Sequence, residues 1–397
     1  MRTIHLAGTC DTKGEEIAYL RDLIAAAGHR VTVIDLGTRA PRITPDIPAA
    51  AIAACHPDGP SILAGQDRGA AVTAMGRAFA AWCRANGEKI SGILAIGGGG
   101  GSSIACAGMR ELPYGLPKFM VSTLASGDTA PYVGTSDIVM MPSVTDVAGL
   151  NRLSRLILSN AAHALVGAAT APAPADSVGL PALGLTMFGV TTPCVTAITD
   201  HLRGRFDCLV FHATGTGGRA MEQLLDQGIL AGLIDITTTE IADLLFGGVL
   251  PARPDRLDVV ARMGTPWVGS VGALDMVNFW APPTVPERYR DRLFYHHNPN
   301  VTLMRTTAEE NAQIGRWIGQ KLNACPGPIR LLIPEKGVSA LDIDGGPFRD
   351  PAADAALFDA LASTISDPAR LVHLPLHIND PAFAKAAADT FLSLMRP

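Results

Sequence analysis

The sequence predicts an α/β protein of two Rossmann-like domains, each a mostly parallel sheet flanked by helices, with a cleft between the domains. Short apolar, β-branched runs alternate with longer stretches of helical periodicity along most of the chain. A chain of 397 residues exceeds one ordinary hydrophobic core. The proline- and alanine-rich stretch Ala169–Ser177 has no apolar period and is typical of a linker. We therefore place the domains at residues 1–170 and 178–397.

The N-terminal half opens with a strand–helix–strand unit. RTIHLAG is a short apolar run, EEIAYLRDLIAAAG has helical periodicity, and HRVTVIDLG is β-branched and apolar. An irregular stretch from Pro41 to Gly69 precedes the helical segment RGAAVTAMGRAFAAWCRAN and the strand ISGILAIG, which runs into glycines. The strands KFMVST and DIVMMPSV then precede a helix near Leu150–Gly167. This alternation indicates a parallel sheet with right-handed crossovers.

The C-terminal half repeats the alternation of strands and helices. Its buried strands are predicted at ALGLTMFG, FDCLVFHATG, GLIDITT, PWVGSVG, IRLLIPEKG and ARLVHLPLHIND. Most of these runs are followed by helical periodicity. The second domain is therefore expected to be α/β as well.

Composition and charge exclude several classes of function. The formal net charge is −5 without a block of like charges, which argues against a nucleic-acid partner. No stretch approaches the ~18 consecutive apolar residues of a membrane span, so we expect no membrane partner and a cytoplasmic location. The seven cysteines lack metal-binding spacing and are interpreted as reduced thiols. Cys10 precedes a helix whose dipole would lower its thiol pKa, and an ordinary loop position is the alternative.

Glycine-rich loops after the strands carry the main functional prediction. In an open parallel sheet, ligands bind beyond the carboxyl ends of the strands, where helix N-termini present backbone N–H groups. The run GGGGGSS is the most distinctive, because five glycines carry an entropic cost that a plain turn does not require. It is neither a Walker loop nor a Rossmann fingerprint, so it predicts a bound phosphate or carboxylate, with a tight turn as the alternative. Its residues are Gly97, Gly98, Gly99, Gly100, Gly101, Ser102 and Ser103.

The loop GTCDTKG after the first strand adds a carboxylate, hydroxyls and a positive charge. Asp11 with a threonine hydroxyl would hold a metal-bridged phosphate while Lys13 neutralises charge. The alternative is that Asp11 or Thr12 caps the first helix, with Glu15 close to the capping-box position. We assign nucleotide binding in this loop to Gly8, Thr9, Asp11, Thr12 and Lys13.

Two further glycine loops are predicted to take part in nucleotide binding. Their residues are Gly134, Thr135, Thr214, Gly215, Thr216 and Gly217.

Asp35 is the candidate for a dinucleotide site. It ends the second strand about twenty residues beyond the first loop, where a dinucleotide fold keeps its ribose-binding acid. Because the first loop lacks the G-x-G-x-x-G fingerprint, NAD binding is disfavoured and Asp35 is interpreted as a turn residue at a strand end.

Polar residues of the C-terminal half are candidates for acid/base chemistry or metal binding. Glu240 follows a predicted strand and begins a helix, whose dipole favours its ionised form. The segments FYHHNPN and HIND place histidines near predicted strand ends. A structural role is the alternative for each, and no G-x-S-x-G elbow is present to indicate a serine hydrolase. The catalytic candidates are Glu240, His296, His297 and His377, and no metal ligand is assigned.

The motifs taken together carry a resemblance that runs from end to end of the chain. The sequence resembles the Tm-one-like ATP-binding family, bacterial and fungal proteins related to the ATP-binding inhibitor domain of the tomato mosaic virus resistance protein. The resemblance implies two Rossmann-like subdomains, ATP and magnesium held by the N-terminal one, and a homodimer or higher homo-oligomer. It is carried by GTCDTKGEE, AIGGGGGSS, GTSDIVMMPSVTDVAGLNRLS, LGLTMFGVTTPCV, FHATGTGGRAME, DITTTEIAD, PEKGVSALDIDGGPFRDPAADAALFDAL and HIND.

Three hypotheses for function remain open at this point. The first is an ATP- and magnesium-dependent or ATP-regulated enzyme that acts on a small metabolite in the interdomain cleft. The second is an acid/base or metal-dependent enzyme, a hydrolase or lyase, whose glycine loops hold a carboxylate or phosphorylated substrate. The third is a nucleotide-stabilised protein-binding module without turnover.

Overall fold

The chain folds into two compact units, Met1–Ala175 and Asp176–Pro397, in a computed structural model that describes residues 3–63, 67–172 and 179–395. Each unit contains a largely parallel sheet flanked by helices, so the predicted fold class is confirmed. Most of the predicted linker Ala169–Ser177 lies outside the described residues. No helix within the described ranges has the length and apolar character needed to cross a membrane.

The first unit is built on a five-stranded parallel sheet in the order β2-β1-β3-β4-β5. The order therefore reverses between β1 and β3, because the chain first adds a strand on one side of β1 and then continues on the other. The strands are β1 (Thr3–Gly8), β2 (Val31–Asp35), β3 (Ile90–Gly97), β4 (Lys118–Ser122) and β5 (Val139–Pro142). The helices are α1 (Gly14–Ala26), α2 (Ala49–Ala53), α3 (Arg68–Asn86), α4 (Gly99–Met109), α5 (Ala130–Val133) and α6 (Arg152–Thr170).

Both faces of this sheet are buried, which explains why its strands are continuous apolar runs. Alternate residues of β3 belong to different cores: Ile93 packs in the core that contains α3 and α4, whereas Leu94 packs in the core that contains α1 and α6. Helices α3 and α4 lie close together, since a Cβ at Gly108 would come within 2.2 Å of the Phe79 ring. Helices on both faces place the loops at the sheet ends, where the site is built.

The second unit has a six-stranded parallel sheet in the order β14-β13-β9-β8-β6-β7. Its order also reverses near one edge, here between β6 and β8. This unit also contains a small second sheet. The strands of both sheets are β6 (Ala182–Met187), β7 (Asp207–His212), β8 (Leu230–Thr237), β9 (Trp267–Gly272), β10 (Met276–Phe279), β11 (Phe294–Asn298), β12 (Val301–Arg305), β13 (Ile329–Pro334) and β14 (Leu371–Leu374). The helices are α7 (Thr192–Leu202), α8 (Thr216–Asp226), α9 (Thr239–Phe246), α10 (Asp258–Met263), α11 (Ala308–Asn323), α12 (Pro351–Thr364) and α13 (Pro381–Leu394).

A small antiparallel sheet in the second unit was missing from the sequence prediction. Its strands lie in the order β10-β12-β11. The edge strand β11 is largely exposed and contains His296 and His297, so it has no apolar run by which it could be recognised. These two histidines therefore lie within an edge strand, rather than in a loop beyond a parallel strand.

Candidate functional site

A pocket of about 430 Å³ lies in the first unit at the carboxyl ends of β1 and β3. This is the point where the strand order reverses, and in open parallel sheets it is the usual place for a ligand. The topology thus joins the two loops for which the sequence predicted anion binding. The predicted residues on the pocket wall are Thr9, Asp11, Thr12, Lys13, Gly98, Gly99, Gly100 and Gly101.

The glycines Gly98–Gly101 are not required by the fold. Helix α4 begins at Gly99, and none of these residues has a positive φ. A Cβ added at any of Gly98–Gly101 would come no closer than 3.5 Å to its neighbours, which is ordinary van der Waals contact. Glycine in a helix costs about 1 kcal/mol relative to alanine. Packing within the fold therefore does not account for the absence of side chains at these four positions.

Three predicted residues near these loops serve packing and do not line the pocket. A Cβ at Gly97 would come within 3.0 Å of Gly101, and a Cβ at Gly8 within 2.9 Å of Ile17. The buried Ser102 hydroxyl pairs with the Ser122 hydroxyl at 2.7 Å. The fold itself thus accounts for Gly97, Gly8 and Ser102.

Ser103 is likewise turned away from the pocket. Its Oγ donates to the carbonyl oxygen of Gly99 at 2.9 Å, one turn back along α4. This bond satisfies the hydroxyl within the helix. The part of α4 that lines the pocket consequently consists of glycine backbone and the Ile104 side chain, without a serine side chain.

The loop after β1 keeps its polar side chains available. Helix α1 begins at Gly14 with Lys13 at its N-cap and without a side-chain cap, so the alternative that Asp11 or Thr12 caps the helix is wrong. The Thr9 and Thr12 hydroxyls share a hydrogen bond of 2.6 Å. The Oδ1 atom of Asp11 is buried and has no hydrogen-bond partner within the described residues. An unpaired buried carboxylate oxygen is costly, which favours a cation or donor supplied from outside the chain.

Positive charge in the pocket comes from two arginines that the sequence analysis missed. Lys13 lines the pocket, but its ammonium group donates to the carbonyl oxygen of Val147. Arg39 follows β2 and Arg68 is the first residue of α3; both line the pocket and are exposed. Neither guanidinium has a hydrogen-bond or ion-pair partner in the part of the chain that the structure describes. The available cations in the pocket are therefore Arg39 and Arg68.

Asp35 joins the β1 and β2 loops from behind the pocket. Its Oδ1 accepts the backbone N–H groups of Cys10 at 3.0 Å and Gly37 at 2.8 Å. Burial raises the pKa of Asp35. Cys10 is also buried, and desolvation together with Asp35 raises the pKa of its thiol, so the expected lowering by the helix dipole is wrong. Asp35 positions the two loops and does not line the pocket.

The loop that contains Gly134 and Thr135 lies elsewhere. It follows α5 and precedes β5, whereas the sequence analysis placed it after a strand, and that placement is wrong. It therefore lies at the amino end of the parallel sheet, opposite the pocket. Asp137 in this loop pairs with the buried Lys118 at 2.6 Å and gives the loop a structural role.

The glycine loop of the second unit is filled by the protein's own carboxylate. Helix α8 begins at Thr216, and the backbone N–H of Gly215 donates to Glu240 Oε2 at 2.7 Å. A Cβ at Gly217 would come within 1.8 Å of the His212 carbonyl oxygen, and a Cβ at Gly218 within 1.9 Å of Glu240 Oε1. Here, in contrast to Gly98–Gly101, the fold itself requires glycine.

Glu240 belongs to a buried ion-pair network. The Arg256 guanidinium contacts Glu240 at 2.6 Å, Asp235 at 2.8 Å and Glu222 at 2.8 Å. The side chains of Glu240 and Asp235 have no exposed surface, and Arg256 is 2% exposed. Burial raises the pKa of Glu222, against the lowering effect of Arg256. The structure thus gives Glu240 a structural partner set rather than access to a substrate.

The reversal point of the second sheet is closed by buried threonines. Thr191 and Thr237 share a hydroxyl hydrogen bond of 2.7 Å, and the backbone N–H of Thr237 donates to Thr186 Oγ1 at 3.0 Å. The Thr186 hydroxyl in turn donates to Asp235 at 2.6 Å. The three threonines have no exposed surface. Hydroxyl pairs therefore occupy the position that corresponds to the first unit's pocket.

The predicted histidines of the second unit are not brought together at one site. His377 is held as one tautomer, because its Nε2 contacts the Ser339 carbonyl oxygen at 2.9 Å and its Nδ1 accepts the Asn379 N–H at 3.1 Å. His297 lines a separate pocket of about 380 Å³ together with the predicted Thr214. Neither His296 nor His377 contributes to that pocket.

The donor atoms of the first pocket determine which metal ions could bind there. Among residues 3–63, 67–172 and 179–395, no group of three or more His, Cys, Asp or Glu side chains is arranged to hold a metal ion. Magnesium is usually bound by one or two carboxylates together with phosphates and water. The unpaired Asp11 oxygen, with the Thr9 and Thr12 hydroxyls in the same loop on the pocket wall, fits that requirement.

Comparison with known proteins assigns the chain to a family. Two family models match, described as the N-terminal and C-terminal domains of the uncharacterised protein family UPF0261, over residues 2–174 and 180–395. The chain is 62% identical over 400 residues to a UPF0261 protein of Rhizobium meliloti (strain 1021), with 100% of both chains covered. It is 46% identical over 402 residues to a UPF0261 protein of Clostridium tetani, with 99% of each covered.

A plant relative confirms the resemblance expected from the motifs. The ToMV resistance protein Tm-1(GCR237) of Solanum lycopersicum is 39% identical over 414 residues. The match covers 98% of this chain and 55% of the tomato protein. The family models and these relatives span both units of the structure, and the chain therefore belongs to the protein family UPF0261.

Proposed function

We propose that the first unit binds ATP as its magnesium complex, with the phosphates against the β1 and β3 loops. The observation that carries this proposal is the run Gly98–Gly101, whose glycines the fold does not require and which lines a pocket with two arginines. Backbone N–H groups at the start of α4 and the positive end of its dipole suit phosphate oxygens. Arg39 and Arg68 would neutralise part of the phosphate charge.

The apolar part of the pocket wall favours a nucleotide over a small phosphorylated metabolite. It contains Leu36, Leu63, Val72 and Ile104, the last on helix α4 itself, and these side chains suit the faces of an adenine ring. A volume of about 430 Å³ falls within the range of roughly 300–1,000 Å³ found for ligand sites. A phosphate-sized substrate alone would leave this apolar wall without a partner.

Magnesium would be held by Asp11 with Thr9 or Thr12, because Asp11 Oδ1 is a buried carboxylate oxygen that lacks a partner within the described residues. When bound, the ion would offset charge on the phosphates. Asp35 would keep the two loops in register behind the bound nucleotide through its bonds to Cys10 and Gly37.

The role of the nucleotide is proposed as support for an enzyme that acts on a small metabolite. The alternatives are a hydrolase or lyase whose loops hold a carboxylate or phosphorylated substrate, and a nucleotide-stabilised binding module without turnover. A cytoplasmic location and a homodimer or higher homo-oligomer remain predictions. ADP release in the presence of a metabolite mixture would favour the enzyme over the binding module.

Calorimetric titration of the full chain with MgATP tests the proposal. We expect saturable binding that Arg39→Ala and Arg68→Ala each weaken at least tenfold, since each removes one phosphate-facing charge. Arg77→Ala is the matched control, because Arg77 is exposed on the same helix α3 and does not line the pocket. No binding of MgATP at millimolar concentration, or equal losses in all three variants, would overturn the proposal. Binding of inorganic phosphate as tight as that of MgATP would instead favour a phosphorylated substrate.

A further inference from the structure

The second unit contains an aromatic pocket of about 380 Å³. The threonines that close the reversal point of the second sheet do not line it. Its walls come from the loops after β6 and β7 and from the antiparallel strands β10, β11 and β12. Phe188, Phe279 and Trp280 provide aromatic surface, and the remaining wall combines aliphatic side chains with uncharged polar groups and histidines. Trp280 is 49% exposed although it is a large apolar side chain, which is typical of a residue at the mouth of a binding site.

One buried polar atom at this pocket lacks a partner. Asn278 lines the pocket and has no exposed surface, and its Oδ1 makes no hydrogen bond within the described residues. Its Nδ2 and its backbone N–H both donate to Asp243 Oδ1, at 3.1 and 2.8 Å. These bonds fix the orientation of the amide, because the flipped amide would place its oxygen against the carboxylate. An unpaired buried acceptor calls for a donor from a ligand.

The described wall of this pocket contains no carboxylate, ammonium or guanidinium group. No Lys, Arg, Asp or Glu lines it, in contrast to the first pocket with its arginines. His212 lies on the wall with its ring 5.2 Å from that of Phe188, and burial lowers the pKa of His212. The histidine is therefore neutral near pH 7. An ion that entered this pocket would lose its hydration without gaining an opposite charge.

We propose that this pocket binds a small, uncharged aromatic molecule that carries an N–H or O–H donor, and that the donor bonds to Asn278 Oδ1. The ring would pack against Phe188, Phe279 and Trp280, where aromatic contacts add to the apolar burial. This site is independent of the nucleotide proposed for the first unit, since all of its residues belong to the second unit.

Indole and 1-methylindole are suitable probes, because they share a ring and differ in the N–H donor. We expect saturable binding of indole to the full chain by calorimetry, with 1-methylindole bound at least tenfold more weakly and the charged indole-3-carboxylate weaker than indole. Equal affinities for indole and 1-methylindole, or no saturable binding of indole at millimolar concentrations, would overturn the proposal.

Variants separate the pocket from general apolar adsorption. Trp280→Ala removes an aromatic wall at an exposed position and is expected to weaken indole binding at least fivefold. Leu293→Ala is the control, because Leu293 is 53% exposed and does not line the pocket. Thermal unfolding of each variant checks that the fold is retained. Unchanged indole binding in Trp280→Ala, or an equal loss in Leu293→Ala, contradicts the assigned site.

Discussion

The Glu240 carboxylate accepts the backbone N–H of Gly215 at 2.7 Å, so the start of α8 already holds an anion that belongs to the protein. The corresponding start of α4 in the first unit is lined by glycines that no internal carboxylate explains. Two loops that are both rich in glycine and hydroxyl residues thus differ in what faces their backbone N–H groups. One is closed by an internal ion pair, and the other faces a pocket.

Glu240→Gln is expected to destabilise the second unit by ~1–3 kcal/mol. The carboxylate accepts from two donors, the Arg256 Nε and the Gly215 N–H, and the amide group of glutamine would turn a donor toward one of them. Urea unfolding of the variant measures the loss. Glu309→Gln is the control, because Glu309 is an exposed acid in the first turn of α11. Loss of activity with an unchanged free energy of unfolding would restore Glu240 as a catalytic candidate.

Gly99→Ala and Gly100→Ala are expected to separate stability from binding. Each substitution should raise the free energy of unfolding by about 0.5–1 kcal/mol, because alanine lowers the conformational entropy of the unfolded chain. In the folded state the added Cβ meets its neighbours at 3.5 Å, which is an ordinary contact. Each should weaken MgATP binding at least tenfold, because the added methyl group stands where we propose that the phosphates approach the backbone. Chemical denaturation and calorimetry provide the two measurements.

Gly97→Ala is the control for that pair. Its Cβ would lie 3.0 Å from the Gly101 backbone, so this variant should lose stability rather than gain it. A loss of stability in Gly99→Ala and Gly100→Ala as well would mean that the fold, and not a ligand, selects glycine along the start of α4.

Asp35 is expected to act on nucleotide binding through the loops that it holds. Asp35→Ala removes the acceptor for two backbone N–H groups and should weaken MgATP binding as well as stability, the latter by ~1–3 kcal/mol. Asp35→Asn keeps an acceptor oxygen and should restore both measurements toward the unsubstituted protein. Failure of asparagine to restore binding would indicate that the charge of Asp35 acts on the ligand directly.

Asp275 is expected to make stability fall as the pH rises. Burial raises the pKa of Asp275 to about 7, against the lowering effect of Arg305 and with a further increase from Asp342. Because the folded pKa exceeds the unfolded value of about 3.9, the contribution of Asp275 is fully present below about pH 4 and is lost as the pH rises through about 7. Asp275→Asn should therefore gain stability relative to the unsubstituted protein between pH 5 and pH 8, on the order of 1 kcal/mol or more.

Urea unfolding of the unsubstituted protein and of Asp275→Asn at pH 5 and at pH 8 measures this change in the free energy of unfolding. Asp359→Asn is the control, since Asp359 is exposed on α12. An equal difference between the unsubstituted protein and Asp275→Asn at both pH values would show that Asp275 does not titrate in this range.

The parallel sheets could be predicted from the sequence because their central strands, such as β3 and β8, are buried on both faces, which produces continuous apolar runs. The antiparallel sheet could not, because β11 is an exposed edge strand. The glycine loops after β1 and β3 could be singled out because ligands of open parallel sheets bind beyond the carboxyl ends of the strands, and both loops do line one pocket. Arg39 and Arg68 were missed because the strand order, and not proximity in sequence, brings them to the same pocket.

Glycine composition alone cannot separate a ligand loop from a packing loop. Gly98–Gly101 and Gly217–Gly218 look alike in sequence. However, an added Cβ would come within 2 Å of a carbonyl oxygen at Gly217 and of a carboxylate oxygen at Gly218, and no oxygen comes that close to an added Cβ at Gly98–Gly101. The difference depends on residues far along the chain, such as Glu240. It therefore becomes visible only in three dimensions.

The hydrogen bond between the Thr191 and Thr237 hydroxyls limits where a ligand could bind in the second unit. Because their hydroxyls are buried and paired with each other, this point of the sheet has no free space, and the aromatic pocket of the unit lies instead beside the antiparallel sheet and Trp280. The two units share a reversal of strand order near one edge of the sheet, yet the proposed ligand sites lie at different places, one between the ends of parallel strands and one beside the antiparallel sheet.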